Sequence, residues 1–326
     1  MQMAEQTRSI IVKQDIFMPL WYVLSITEAS KLNAMEIANL FHESGLFSTA
    51  YPDLMFNVLY RGVNEVVFDS QSDVRNVGQQ NCVNDRYFYR QWGLRNIGQN
   101  GGIAGIDIRA CDAWNISTGR GIIVAVSDTG IDLDHPDLSI PCLGWDSRSG
   151  SSPQRRHRCP FTGCSCHGTA VAGVIGAVRN NREGIVGVAP DSRIISVSNC
   201  NSHGTVMQDY HRARGINWAW YYGRADVINA SWGLPQGPRT MEAIDSAAVR
   251  GRNGLGTVFV ISSGNNGVPA VTFPAGLPNV ITVGAINRYG RRAAWSNHGV
   301  RLNVVAPGVG IFTTRYGGYD YAQALL

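Results

Sequence analysis

Ile122-Ile123-Val124-Ala125-Val126 is a run of apolar residues with no polar alternation, and it stops at Ser127-Asp128-Thr129-Gly130. A strand that is apolar on both faces has to be covered on both faces, which is the condition of a parallel sheet between helices. Similar runs follow at Ile194–Val197, Val227–Ala230, Val258–Ile261, Val280–Val283 and Asn303–Ala306. Between them the spacing predicts helices over Val206–Tyr222 and over Met241–Arg250, the second closed by Gly251. Strand alternating with helix predicts an α/β fold built on a parallel sheet. Ligands of such sheets bind at the carboxyl ends of the strands. Asp128, Ser231 and Ser262 each follow an apolar run and fall at those ends.

A second constraint is Cys166-His167-Gly168-Thr169-Ala170-Val171-Ala172-Gly173, continuing through Val174-Ile175-Gly176-Ala177. This reads as a buried helix that begins near His167. Gly173 and Gly176 each cost about 1 kcal/mol relative to Ala in a helix, so close packing against a neighbouring backbone is expected there. A His on such a rigid element is a candidate general base, the plain alternative being a satisfied core histidine. Asp128 ends one strand and His167 opens the next helix, so a βα unit can bring carboxylate and imidazole together, fixing the ring tautomer. The plain alternative for Asp128 is a turn cap. Ser262-Ser263-Gly264-Asn265-Asn266-Gly267 runs from a strand into a polar loop, where an Asn amide can donate to a developing oxyanion or simply tolerate positive φ.

The amino-terminal part has a different texture. Trp21–Ile26 reads as a strand, Asn33-Ala34-Met35-Glu36 as a capping box, and Ser48–Tyr51 as a second strand. The expected organisation is a small α+β module over 1–56, a linker over 57–83 and a larger unit over 84–326. Ile16–Ile26 is too short and too interrupted by Pro19 for a membrane span, and no cleavage site follows it, so no signal peptide is visible. A net charge of +4, with Arg155-Arg156-His157-Arg158 in a Ser/Pro/Gly-rich stretch, argues for a solvated loop and against nucleic-acid binding. Of seven Cys, three cluster at Cys159, Cys164 and Cys166 beside His167; their spacing matches no common paired zinc pattern, and a loop disulfide or free thiols are expected.

Ala125-Val126-Ser127-Asp128-Thr129-Gly130-Ile131-Asp132 with His135-Pro136-Asp137-Leu138, His167-Gly168-Thr169 with Val171-Ala172-Gly173, and Ser262-Ser263-Gly264-Asn265 resemble, in order, the signatures of subtilisin-like serine proteases, peptidase family S8. The resemblance covers about residues 84–321, and the first module is similar to that family's inhibitory propeptide. It implies a serine endopeptidase acting on polypeptide substrate, with Asp128 as orienting acid, His167 as base and Asn265 as oxyanion donor. It also implies that Ser231-Trp232-Gly233 and Ser262-Ser263-Gly264 are strand edges where the substrate backbone pairs. A secreted or extracytoplasmic location is implied, and structural calcium is common in such enzymes, with no ligand assigned here and no cofactor needed for the chemistry.

Two decoys are set aside. His203-Gly204-Thr205 lacks the small residues that follow His167, and Asp128-Thr129-Gly130 occurs once, whereas aspartic proteases need two such carboxylates. A dinucleotide-binding reading of Gly98, Gly101, Gly102 and Gly105 fails because the cluster precedes the apolar strand. The family's nucleophile motif, Gly-Thr-Ser-x-Ala-x-Pro, is absent, although Val304-Val305-Ala306-Pro307-Gly308 and Tyr316-Gly317-Gly318-Tyr319 resemble the stretch before it. The expectation is therefore a truncated and inactive chain, or a degenerate homologue that only binds peptides.

Overall fold

The computed structural model describes residues 2–53, 82–140, 144–151, 167–199, 208–233 and 235–322. The linker over 57–83 lies almost wholly outside these residues, as do Cys159, Cys164, Cys166 and His203. The chain divides into two units, Met1–Met55 and Phe56–Leu326.

The first unit contains α1 (Gln2–Gln6), β1 (Ser9–Gln14), β2 (Tyr22–Ile26) and α2 (Ala34–Glu43). Asn33 caps α2 as its sequence predicts: Oδ1 accepts from the amides of Met35 and Glu36, each at 3.0 Å, and Glu36 Oε2 accepts from the Asn33 amide at 2.8 Å. One expectation is corrected. Ser48–Tyr51 is not a strand; the antiparallel partner of β2 is β1, whose Ser9-Ile10-Ile11-Val12 run carries the β-branched signal. The segment after α2 is tied by rings instead, Phe47 against Phe41 at 5.0 Å and Tyr51 against Trp21 at 6.0 Å.

In the second unit, α3 (Ala110–Ala113) is followed by β3 (Ile123–Asp128), β4 (Gly144–Asp146), α4 (His167–Gly176), β5 (Arg193–Ser198) and α5 (Asp209–Tyr221). Then come β6 (Val227–Ala230), α6 (Pro238–Gly254), β7 (Val258–Ser262), β8 (Ile281–Ile286) and β9 (Val304–Pro307), and last β10 (Ile311–Arg315) and β11 (Gly318–Ala322). Seven strands form one sheet in the order β4-β5-β3-β6-β7-β8-β9, and every pairing in it is parallel. Helices cover both faces. A Cβ on Gly176 of α4 would press on Ile194, and one on Gly215 of α5 on Val197; these β5 residues are an odd number apart and so point to opposite sides. The central runs are thus buried for the reason their lack of alternation predicts, and Ala125, Val126 and Ile195 have no exposed surface. The run Asn303–Ala306, by contrast, is not covered on both faces: it forms the edge strand β9, where Val304 and Val305 are exposed.

Two features lay outside the sequence reading. β10 and β11 form a separate antiparallel hairpin. The start of α6 has Gly237 at its cap and no capping side chain of its own. Asp209, the first residue of α5, supplies it: the carboxylate accepts from the Arg239 amide at 3.0 Å and from the Thr240 amide at 3.1 Å. Gly251 does end the regular helix, with φ −60° and ψ 160°. Among the described residues no helix is long and apolar enough to cross a membrane.

Cys82 and Cys111 form a disulfide across a sequence separation of 29. It packs beside the cluster of Val83, Phe88, Leu94, Ala110, Trp114 and Val186. Closing a loop of that length removes unfolded-state entropy worth about 3.5 kcal/mol. Replacing both by Ser should lower the unfolding free energy of the larger unit by about 2–5 kcal/mol in denaturant titration, with dithiothreitol reproducing the loss in the wild-type chain.

Candidate active site

The strand β3 is buried from Val124 to its last residue and delivers Asp128, 3% exposed, to the carboxyl edge of the sheet. Helix α4 begins with His167, 1% exposed. Nδ1 of His167 lies 2.8 Å from Oδ1 and 2.9 Å from Oδ2 of Asp128. A carboxylate can only accept, so Nδ1 carries the proton and Nε2 is the nitrogen able to take one. Asp128 is itself held by the Thr129 amide, which donates to Oδ1 at 2.7 Å.

The local sequence explains how two elements 39 residues apart come this close. Gly130 turns the chain with φ 105°, a conformation that favours glycine. The first turn of α4 then sits directly on that turn: a Cβ on Gly168 would collide with the Gly130 carbonyl. The Gly168 amide donates to Thr129 Oγ1 at 3.0 Å, and the Asp132 amide donates to Thr169 Oγ1 at 2.9 Å. Asp-Thr-Gly and His-Gly-Thr are thus two halves of one interlock. Close packing is present at both helix glycines, but what their missing Cβ atoms would meet is side chains: Thr313 and Thr314 at Gly173, Ile194 and Ser192 at Gly176. The close approach of two backbones lies beside Gly176, where a Cβ on Gly187 would strike the Gly176 backbone.

Parallel registry sets the other residues beside this pair. Val126 is level with Asn229 and Ala230 with Ile261, so Ser231-Trp232-Gly233 and Ser262-Ser263-Gly264 leave neighbouring strands at the edge where Asp128 stands. Trp232 Nε1 donates to the Ser127 carbonyl at 2.9 Å, fastening the end of β6 to that of β3. Ser263 uses both its backbone groups inside the protein, its amide to Val283 O and its carbonyl from the Thr272 amide, each at 2.9 Å. Asn265 is exposed on the loop after β7. Its shape depends on a residue the sequence did not single out. Asn297, 1% exposed, receives the amides of Asn266 at 2.9 Å and Val268 at 3.2 Å on Oδ1 and donates to Thr272 Oγ1 at 3.1 Å. Gly264 has φ 103°, and a Cβ there would strike Thr272 and Asn297.

Asp137 is wholly buried and accepts from Asn181 Nδ2 at 2.7 Å and the Ile185 amide at 2.8 Å. Burial pushes its carboxyl up, and burial together with Asp137 pushes the Tyr319 phenol up. Among the described residues no group of three or more His, Cys, Asp or Glu comes together in a way that could hold a metal ion.

Residues 119–323 match the model of the subtilase family, peptidase S8. The chain belongs to that family. Subtilisin from Bacillus pumilus is 38% identical over 205 residues, 62% of this chain and 70% of that protein. The thermophilic serine proteinase of Bacillus sp. strain AK1 is 35% identical over 302 residues, 89% of this chain and 71% of its own. Subtilisin E of Bacillus subtilis is 38% identical, and the subtilase described here spans 50% of its length. Among solved structures, a protease from Pseudoalteromonas arctica superposes with a TM-score of 0.62 at 29% identity, covering 75% of this chain and 83% of that one.

If the interlock depends on the missing Cβ, Gly168→Ala should destabilise this subtilase by about 1–3 kcal/mol through overpacking, whereas Gly318→Ala, which meets no atom within 4 Å, should stay within about 0.5 kcal/mol of wild type. Denaturant titration of the two variants checks the contrast.

Proposed function

We propose that the chain carries the acid and base of a serine endopeptidase, with Asp128 orienting and His167 acting as general base. The buried, two-oxygen contact between Asp128 and His167 Nδ1 supports this reading most directly. In it, Asp128 holds the tautomer and the ring angle and stabilises the imidazolium that forms, while Nε2 accepts the proton of the attacking hydroxyl. Asn265 donates its side-chain amide to the oxyanion. The edge at Ser231-Trp232-Gly233 pairs with the substrate backbone, and the turn Ser262-Ser263-Gly264 walls the opposite side. That Asp128, Ser231 and Ser262 leave adjacent parallel strands at one edge supports this grouping. The Cys82–Cys111 disulfide fits an extracytoplasmic location, where such bonds persist.

Residues 1–326 do not contain the sequence Gly-Thr-Ser-x-Ala-x-Pro, and the nucleophile of this reading lies outside them. Residues 1–326 should therefore show no turnover on casein or short peptides. Turnover that His167→Ala abolishes would overturn this and reveal a nucleophile inside the chain. Joined to a continuation that carries the motif, the chain should become active, and His167→Ala should then lower kcat by about 10⁶, the loss known for the triad His in subtilisin itself.

We propose further that the first unit acts as an inhibitory, propeptide-like module. Its compactness as a unit ending at Met55 and its two-stranded sheet with a capped helix support this. Expressed alone, residues 1–56 should inhibit an intact subtilisin-like enzyme. The reading is lost if no inhibition appears at high micromolar concentration.

A further inference from the structure

The hairpin of β10 and β11 belongs neither to the parallel sheet nor to the pair Asp128 and His167, yet it touches the elements that carry both. Thr314 Oγ1 donates to the Thr169 carbonyl and Thr313 Oγ1 to the Ala170 carbonyl, each at 2.7 Å. These carbonyls lie in the first turn of α4, two and three residues after His167. Each already serves the helix ladder, and the hydroxyl takes its second lone pair. Both threonines have no exposed surface. Consecutive strand residues ordinarily point to opposite faces, so a strand that sends two neighbouring hydroxyls to one helical turn lies edge-on against it. The room for this comes from Gly173, where a Cβ would collide with Thr314 Oγ1.

The same hairpin grips the loop that leaves Asp128. The Gly317 amide donates to Asp132 Oδ2 at 3.2 Å, and His135 Nε2 lies 2.9 Å from the Gly318 carbonyl. The ring of Tyr319 stands edge-on to His135 at 5.2 Å. One small element thus fixes the helix that bears the imidazole relative to the loop that follows the carboxylate.

We propose that Thr313 and Thr314 are positioning residues for His167: their two hydroxyls set the height and rotation of the first turn of α4, and so the geometry of Nδ1 against Asp128. Replacing Thr by Val keeps the volume and removes only the donor, which leaves the packing and frees the turn. The inference rests on the base role given to His167 above, but its test reads the Asp128–His167 geometry with no turnover, so the two stand or fall separately.

The measurement is the proton NMR signal of His167 Nδ1–H in residues 1–326, identified by its loss in His167→Ala. T313V/T314V should raise the solvent-exchange rate of that proton about thirtyfold, as expected when two buried hydrogen bonds no longer hold the closed form. T313S/T314S, which restores the donors, should return the rate to wild type. Thr257 provides the matched control, a 3% exposed threonine whose Oγ1 donates to the Ala225 carbonyl at 2.9 Å far from α4. T257V should lower stability and leave the His167 proton unchanged. The single variants T313V and T314V are read in the same way, so the double variant need not fold. The inference is overturned if the valine variants exchange this proton at the wild-type rate, if T257V accelerates it equally, or if the wild-type chain shows no such signal.

Discussion

The site depends on how closely one helix end can approach one turn. The first turn of α4 rests on the Gly130 carbonyl because residue 168 has no Cβ, and that contact carries His167 to within hydrogen-bond reach of Asp128. With the ring 1% and the carboxylate 3% exposed, water does not compete for the bond, and the surrounding low dielectric strengthens it. The threonines on either side, Thr129 and Thr169, satisfy amides that this proximity would otherwise leave buried and unpaired. A larger residue at 168 opens the gap and strands those amides at the same time, so the geometry has few intermediate solutions.

The fold brings other polar strand ends beside this pair at little extra cost. A parallel sheet brings every strand out at the same edge, and the order β3-β6-β7 puts the ends of three sequence-distant runs side by side. Asp128, Ser231 and Ser262 need no special loop to converge. The loop after β7 is the exception, since it follows no regular pattern and takes its form from the buried amide of Asn297. Work on that loop belongs as much to residue 297 as to the exposed Asn265.

Much of this was legible before any coordinates, for physical reasons. Unalternating apolar runs in β3, β5, β6, β7 and β8 state that both faces are covered, and the capping box at Asn33 states where a helix begins. The same logic singled out Asp128 as a polar residue after an apolar run, and His167 stood out because it opens a run of small residues; the structure puts the two side chains in contact. It failed where structure is set by distant partners. Ser48–Tyr51 has strand-like residues, but rings on Phe41 and Trp21 claim Phe47 and Tyr51, while β1 takes the place beside β2. The β10–β11 hairpin was passed over because its short, mixed sequence has meaning only against Gly173. Asn297 and the cap that Asp209 lends to α6 were hidden likewise, since each acts on residues about 30 positions away.

The disulfide gives the larger unit a property that its sheet alone would not. Cys82 is the first described residue after the stretch that joins the two units, and it is bonded to Cys111 beside a buried apolar cluster. A backbone cut between Met55 and Cys82 therefore leaves the chain from Cys82 onward still fastened to Cys111. Held there, that chain cannot peel away from Trp114 or Val186 starting from its amino end. Loss of the covalent link upstream and unravelling of the larger unit, which a single nick often brings together, are here made into independent events.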